Sequence, residues 1–228
     1  MTQFIQLHFL TSYPPANLNR DDLGNPKTAR LGGVERLRVS SQSLKRAWRT
    51  SETFQQELAG SIGTRTKRLG VEVFEALKAK GVAEKKAKDW AEEIAKEYGA
   101  LKKDVPLEIE QLVHVAPEER KTLDDLVSKL AEEKRGPSKE ELASLLHDHT
   151  AVDIAMFGRM LASKTEFNGE AAVQVAHAIG VHASAVEDDY FTAVDDLNRN
   201  DPGAAHIGEA GFAAAVFYQY VCIDRDLL

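Results

Sequence analysis

The stretch from residue 37 to residue 49 constrains the fold more than any other part of the chain. Residues 37–39 alternate between apolar and charged side chains, which is the period-2 pattern of a strand end. Ser40 and Ser41 follow, and serine is a preferred residue at a helix N-terminus. The next apolar residues share one helical face: Leu44, Ala47 and Trp48. The pattern predicts a strand that passes directly into an amphipathic helix.

The opposite face of this predicted helix is polar and basic, and it comprises Gln42, Lys45, Arg46 and Arg49. A helix N-terminus attracts anions, and phosphate is the most common of them in proteins. A solvated basic face explains the same pattern equally well. The helix is therefore a candidate phosphate-binding element that needs independent support.

The charge of the chain is unevenly distributed. The net charge is −7, yet residues 1–70 carry 11 Lys and Arg against 5 Asp and Glu. The remaining residues carry 18 basic against 31 acidic side chains. A basic segment on an acidic protein is typical of a localised contact with a polyanion, which the total charge conceals.

The composition predicts a cytoplasmic globular protein. Apolar residues make up 43% and charged residues 29% of the 228-residue chain. Its single cysteine, Cys222, excludes an internal disulfide. No apolar run is long enough to span a bilayer, and the first residues do not resemble a signal peptide. We therefore expect no contact with a membrane.

The N-terminal region reads as a strand followed by a long loop. Residues 4–10 are apolar on both faces, which predicts a central strand in which His8 is packed or half-buried. Residues 13–33 are rich in Pro, Gly, Asn and Asp, which predicts a loop that carries Arg20 and Lys27. Asp21 and Asp22 are either turn residues or metal ligands, and turn chemistry explains them without a metal.

The middle of the chain is predicted to be helical. Helices are expected at residues 71–80, 83–98 and 117–133, and a Ser138 capping box begins a fourth. The segment His147-Asp148-His149 resembles a metal-binding fragment only superficially, because adjacent residues of a helix do not face one another. We interpret it as part of a helix end.

The last third of the chain returns to strand patterns. Residues 151–160 are predicted as a strand, while 170–182 fit either a short helix or a strand and turn. Residues 188–211 predict an extended hairpin arm, with a turn near Pro202 and Gly203. Residues 212–223 follow as a strongly apolar strand.

Several of these segments together resemble the CasC (Cse4) family, the backbone subunit of the type I-E CRISPR surveillance complex Cascade. The segments that carry the resemblance are 18–22, Gly32-Gly33, 40–47, 152–155, 158–160, 191–197, 205–208 and Phe217-Tyr218. They occur in order over most of the chain, whereas residues 71–149 show no convincing match. Family members are longer, so we expect this chain to correspond to roughly their N-terminal two-thirds.

The resemblance implies an α+β fold with the outline of a hand, as in other proteins of the RAMP superfamily. A modified RRM-like (ferredoxin-like) palm would comprise residues 1–70, 151–183 and 212–228. A helical fingers insertion would comprise 71–150, and a β-hairpin thumb 184–211. Several copies would stack along one CRISPR RNA as a helical filament.

The resemblance also implies roles for individual residues. Those expected to grip guide RNA phosphates without reading sequence are Arg20, Lys27, Ser40, Gln42, Lys45, Arg46 and Arg49. Those expected to displace and stack bases are the thumb residues Tyr190, Phe191, Thr192 and Ile207. A further wedge residue in the family follows the Gly-Arg-Met segment, but residues 164–167 depart from the pattern here.

The implied function is non-catalytic binding of CRISPR RNA, with no cofactor, no metal and no catalytic residue. The implied partners are the CRISPR RNA, target DNA, further copies of the chain, and the large, small and 5′-end-capping Cascade subunits. The alternative is an RNA-cleaving subunit that uses Mg²⁺ and thumb carboxylates, here Asp195 and Asp196. Adjacent carboxylates on an extended arm point to opposite faces, which disfavours that alternative.

Overall fold

The computed structural model describes residues 3–146, 151–162, 164–194, 197 and 204–228. It has the predicted α+β fold, with antiparallel strands and helices. The chain divides into two compact units, which we call the first and second units. The first comprises Met1–Trp48 and Gln174–Asp224, and the second comprises Arg49–Val173 and Arg225–Leu228.

The strands are β1 (Phe4–Ala16), β2 (Thr28–Leu31), β3 (Val34–Val39), β4 (Thr64–Thr66), β5 (Val113–Val115), β6 (Val173–Val175), β7 (Ala178–Gly180), β8 (Glu187–Val194) and β9 (Ala204–Asp224). The helices are α1 (Ser41–Arg49), α2 (Glu52–Glu57), α3 (Leu69–Ala79), α4 (Glu84–Tyr98), α5 (Pro117–Glu133), α6 (Lys139–Ala143) and α7 (Val152–Phe157), with a 3₁₀ turn at Thr165–Phe167. Within the described ranges, every helix is too short or too polar to cross a lipid bilayer.

The first unit is built on an antiparallel sheet with the order β1-β9-β7-β3-β2, in which β6 and β8 also pair with β9. Its buried core lies on one face of the sheet and consists of Leu37, Val39, Ala178, Ala213, Ala215 and Phe217. Leu44 packs against this core from α1. The predicted passage from a strand into an amphipathic helix is confirmed, because β3 ends at Val39 and α1 begins at Ser41.

The position of β1 differs from the prediction. Among the described residues it pairs only with β9, so it lies at the edge of the sheet and not at its centre. Its apolar side chains are exposed on both faces, and Leu10 is 72% exposed. The apolar run reports which side chains can be buried, but it does not show whether a neighbouring strand covers them. His8 is exposed, and its Nδ1 lies 2.7 Å from Tyr218 Oη.

The region predicted as one long loop contains a hairpin. Strand β1 extends to Ala16, and β2 pairs antiparallel with β3 so that Leu31 lies opposite Val34. Gly32 and Gly33 both have positive φ, at 67° and 82°, as a two-residue type I′ turn requires. The loop is therefore limited to residues 17–27, and the glycines that suggested irregular structure belong to a regular turn.

The second unit contains the predicted helices, as α3, α4, α5 and α6 confirm. Their apolar stripes meet in one core, which includes Leu77, Trp90, Ile94, Leu123 and Leu130. Ser138 caps α6 as predicted, since its hydroxyl accepts from Glu141 N and the Glu141 carboxylate accepts from Ser138 N. Sequence patterns did not indicate α2 or the short β4–β5 pair.

The strand predicted at residues 151–160 is wrong, because the structure has helix α7 there. A short apolar run does not distinguish a strand from a buried helix, and here tertiary contacts decide. Asp153 in the first turn of α7 is completely buried. Residues 170–182, which the sequence left open, form β6 and β7.

The hairpin arm forms as predicted where the structure describes it. Strand β8 pairs antiparallel with the N-terminal part of β9, from Glu187 opposite Phe212 to Thr192 opposite Ile207. The expected turn residues Pro202 and Gly203 lie outside the described residues.

The two units do not coincide with the predicted palm and fingers, since residues 49–70 and 151–173 group with the helical region. The hand-like division stays a prediction.

Candidate functional site

The loop at residues 17–27 presents two of the predicted cations. Asp21 Oδ1 accepts from Leu23 N and Asn25 N, both at 2.9 Å, which makes it a turn residue rather than a metal ligand. The backbone of Lys27 is held on both sides, by Asn19 O and by Arg38 N. Arg20 is exposed and Lys27 is half-buried. The turn thus fixes the backbone from which both side chains extend.

The N-terminus of α1 is capped from three directions. Ser40 Oγ accepts from Ser43 N at 3.2 Å, which confirms the predicted cap. Asn19 Oδ1 accepts from Ser40 N at 2.9 Å, and His177 Nδ1 accepts from Ser41 N at 3.0 Å. Ser40 is buried, so it organises the helix start from within. Most of the backbone donors that we expected to be open to an anion are therefore used internally.

The outer face of α1 retains polar groups close to this start. Gln42 is exposed, and its Oε1 accepts from Ser41 Oγ at 3.4 Å. The Gln42 backbone N–H has no acceptor among the described residues. Lys45 is half-buried and Arg46 is exposed, and both lie one turn further along the helix. This group combines amide donors with two cations.

Arg49 at the end of α1 has a different environment. Its Nε donates to Asp153 Oδ2 at 2.7 Å, and its Nη2 donates to Gly63 O at 3.2 Å. Asp153 also accepts from Gly63 N, and His114 Nε2 lies 2.9 Å from its Oδ2. The Arg49 side chain is only 13% exposed. Arg49 is therefore engaged inside the second unit, a role that its basic neighbours did not suggest.

The carboxyl group of Asp153 is strongly stabilised in its charged form. Burial alone raises the pKa of Asp153, but hydrogen bonds from His114, Gly63 and Arg49 outweigh it. The pKa of Asp153 falls to about 2. A completely buried carboxylate that meets three hydrogen-bonding partners is part of the structural framework of the second unit.

The hairpin formed by β8 and β9 exposes the predicted base-displacing residues. Tyr190 is 66% exposed, Phe191 43% and Ile207 57%. Thr192 lies directly opposite Ile207, so these two side chains share one face with Tyr190. Phe191 lies on the other face, opposite Gly208. The four predicted residues therefore divide three to one between the two faces of the hairpin.

Phe191 lies closely against Gly208. A Cβ atom at residue 208 would overlap the end of the Phe191 ring. The glycine therefore lets the end of the ring approach the neighbouring strand closely. This cross-strand pair determines how the ring is presented on that face.

Asp195 and Asp196, the carboxylates of the cleavage alternative, lie outside the described residues. The same is true of His147, Asp148 and His149. Within the described ranges there is no group of three or more His, Cys, Asp or Glu side chains arranged to hold a metal ion. Residues 164–167 form the 3₁₀ turn and its N-cap, and Lys164 Nζ pairs with Glu97 Oε2 at 3.0 Å.

Sequence reasoning missed His177 and Asp153. Both act through residues far away in the chain, at sequence separations of 136 and 104. Only Asp153 could have been found from the sequence, because an acidic residue within an apolar run needs hydrogen-bonding partners if it is buried.

A family model describes residues 5–228 of this chain under the name CT1975-like protein. The chain belongs to the CT1975-like family. The match spans the loop, α1 and the β8–β9 hairpin, so every element that carries a predicted RNA-binding residue falls within it. None of the curated proteins matches the chain.

The CT1975-like chain is also similar to solved structures. One is a chain of a "CRISPR RNA-guided surveillance complex, pre-nicking", with 33% identity and a TM-score of 0.79. The match covers 99% of this chain and 65% of that one. A second, from a "CRISPR RNA-guided surveillance complex", has 28% identity, a TM-score of 0.68 and coverages of 99% and 64%. The chain thus spans slightly less than two-thirds of the length of these structures.

Proposed function

We propose that this protein is a CRISPR RNA-binding backbone subunit of a Cascade complex, of type I-E, and that it has no catalytic activity of its own. The observation that carries this proposal is the similarity to a chain of an RNA-guided surveillance complex over 99% of the present chain, at 33% identity. The cations of the first unit and the exposed aromatic residues of its hairpin supply the physical support. Both are groups that bind single-stranded nucleic acid.

The grip on RNA is electrostatic and independent of sequence. Arg20, Lys27, Lys45 and Arg46 neutralise backbone phosphates, while the Gln42 amide donates to phosphate or ribose oxygens. Ser40 contributes indirectly, because its buried hydroxyl caps the helix that carries Gln42 and Lys45. Arg49 is omitted from the phosphate contacts, since Asp153 and Gly63 engage its guanidinium.

The hairpin displaces bases from the guide strand. Tyr190, Thr192 and Ile207 present one continuous face, and an exposed aromatic ring there can stack on any base at ~1–3 kcal/mol. Phe191 acts from the opposite face, so one hairpin can separate the bases on its two sides. Bases between successive hairpins remain free to pair with target DNA, which leaves sequence recognition to base pairing.

This function requires partners that lie outside the chain. They are the CRISPR RNA, target DNA, further copies of the protein along the RNA, and the large, small and 5′-end-capping subunits of the complex. The protein would work in the cytoplasm, in antiviral defence. Repetition along the RNA gives one hairpin per subunit and hence a regular interval between displaced bases.

The test is a salt titration of binding between the 228-residue protein and a labelled CRISPR RNA. For single strands, log K falls against log salt with a slope of about 0.7 per neutralised phosphate. We expect Lys45→Ala to reduce the slope by about that amount. Lys86→Ala, a matched change at an exposed lysine of α4, should leave it unchanged.

Two outcomes would contradict the proposal. Absence of RNA binding by the wild-type protein at low salt would refute it outright. Loss of labelled RNA that depends on Mg²⁺ would support the cleaving alternative instead. An RNA of unrelated sequence and equal length should bind comparably, since phosphates carry the grip.

A further inference from the structure

His177 is held next to the start of α1 by the pairing of two strands. Strand β7 pairs antiparallel with β3 so that Ala178 lies opposite Val39. One residue further, His177 lies beside Ser40, where β3 ends and the helix begins. Ser41 N donates to His177 Nδ1 at 3.0 Å. The sheet register, rather than the local sequence, brings this histidine to α1.

This hydrogen bond determines the tautomer of His177. A backbone N–H can only donate, so Nδ1 must be the acceptor and carries no proton. In the neutral ring the proton therefore lies on Nε2. His177 is exposed, and its Nε2 has no hydrogen-bond partner among the described residues. The ring thus offers an N–H donor on the side away from Ser41.

His177 in effect replaces a backbone donor with a side-chain donor. The Ser41 N–H would otherwise be one of the open donors of the helix N-terminus. Its bond to Nδ1 uses that donor, and the imidazole presents a new one from Nε2, one ring width further out. The exposed Gln42 amide and Lys45 lie on the same helix within its first five residues. The donor therefore borders the surface to which we assign RNA phosphates.

We propose that His177 Nε2–H donates to a non-bridging phosphate oxygen of the bound RNA, and that His177 is an RNA-contacting residue as well as a support for α1. This rests on the proposed RNA-binding function. The contact is made by a neutral imidazole, so it adds affinity without adding a positive charge. It complements Lys45, whose contribution depends on salt.

Two substitutions distinguish the contribution of Nδ1 from that of Nε2. In His177→Asn, Oδ1 takes the approximate place of Nδ1 and can accept from Ser41 N, but no donor remains at the position of Nε2. In His177→Gln, the amide nitrogen reaches the position of Nε2, but the acceptor for Ser41 N is lost. His177→Ala removes both groups.

The experiment measures RNA affinity, its salt slope and the thermal midpoint of the 228-residue protein and these three variants. We expect His177→Asn to weaken binding about tenfold, as loss of a hydrogen bond to a charged group does, with the midpoint unchanged. His177→Gln should bind within about threefold of wild type, while its midpoint falls by about 2–4 °C from the lost cap. His177→Ala should show both losses.

The salt slope provides an independent readout. Because a neutral donor releases no counterion, His177→Asn should leave the slope unchanged, whereas Lys45→Ala should reduce it by about 0.7. If His177→Asn binds as wild type does, or if affinity follows the midpoint across the variants, His177 only supports the helix and this inference is refuted. If the wild-type protein binds no RNA, both the proposed function and this inference about His177 are refuted.

Discussion

Arg49 and Asp153 form a buried ion pair, in which Arg49 Nη2 lies 2.7 Å from Asp153 Oδ2 and the carboxylate is completely shielded from solvent. His114 and Gly63 complete the environment of the carboxylate. The charge and hydrogen-bonding groups of such a pair are neutralised while all partners are present. Removal of one partner leaves a buried charge without its counter-charge in a poorly solvated site. The last basic residue of α1 is therefore committed to structure, although it continues a row of cations.

Asp153→Asn should destabilise the second unit by about 3 kcal/mol. Both carboxylate oxygens accept hydrogen bonds, so either orientation of an amide would direct its N–H₂ group at a donor. Chemical denaturation followed by circular dichroism measures the change. Asp89→Asn, at an exposed position of α4, is the matched control and should change the free energy of unfolding by less than about 0.5 kcal/mol. Equal effects of the two substitutions would contradict the assignment.

The stability that Asp153 provides should disappear in acid. Its folded pKa of about 2 lies below the unfolded value near 3.9, so the folded protein binds this proton less readily. The stabilisation is therefore present above about pH 4 and is lost as the pH falls towards 2. The difference in unfolding free energy between wild type and Asp153→Asn should narrow across that interval and stay constant from pH 5 to pH 7. A constant difference down to pH 2 would show that Asp153 is not the responsible group.

Arg49→Ala and Lys45→Ala should differ in what they impair, although both remove a cation from one helix. Arg49→Ala should lower the unfolding free energy because Asp153 loses its ionic partner, while the salt slope of RNA binding by folded protein stays unchanged. Lys45→Ala should reduce the slope and leave stability within about 0.5 kcal/mol. Both quantities can be measured on the same samples at 10 °C. A reduced salt slope for Arg49→Ala would show that Arg49 contacts an RNA phosphate after all.

The local elements of this fold were largely predictable because their signals are local. The Ser138 capping box, the glycines that follow α3 and α4, and the 3.6-residue apolar period each concern neighbouring residues. The same is true of Ser40, whose hydroxyl reaches a donor three residues away. Such contacts depend little on the rest of the chain.

The errors arose where distant contacts decide. Within residues 151–160 the chain forms helix α7 (Val152–Phe157), whose buried Asp153 meets donors from Arg49, Gly63 and His114, and no local pattern reports these contacts. Strand β1 has the apolar composition of a central strand, yet pairs on one side only among the described residues. The capping role of His177 depends on the register between β7 and β3. Sequence therefore predicted the basic face of α1, but not that Asp153 and Gly63 engage the guanidinium of Arg49.

The pairing of Phe191 with Gly208 permits a test of base displacement that leaves the aromatic ring in place. Gly208→Ala would put a methyl group where the end of the Phe191 ring lies, and this exposed ring can rotate away. We expect the variant to bind RNA normally but to displace bases less effectively. The readout is the fluorescence of 2-aminopurine at successive guide positions, which rises when a base is unstacked.

The double substitution makes this prediction specific to the ring. If Gly208→Ala acts only by moving Phe191, it should have no further effect in a Phe191→Ala background, so the two changes are non-additive. Fluorescence at the displaced positions should then fall to the same level in both single variants and in the double variant. Additive losses would mean that Gly208 serves the hairpin backbone independently of Phe191. An unchanged signal in Phe191→Ala would instead leave displacement to Tyr190, Thr192 and Ile207 on the opposite face.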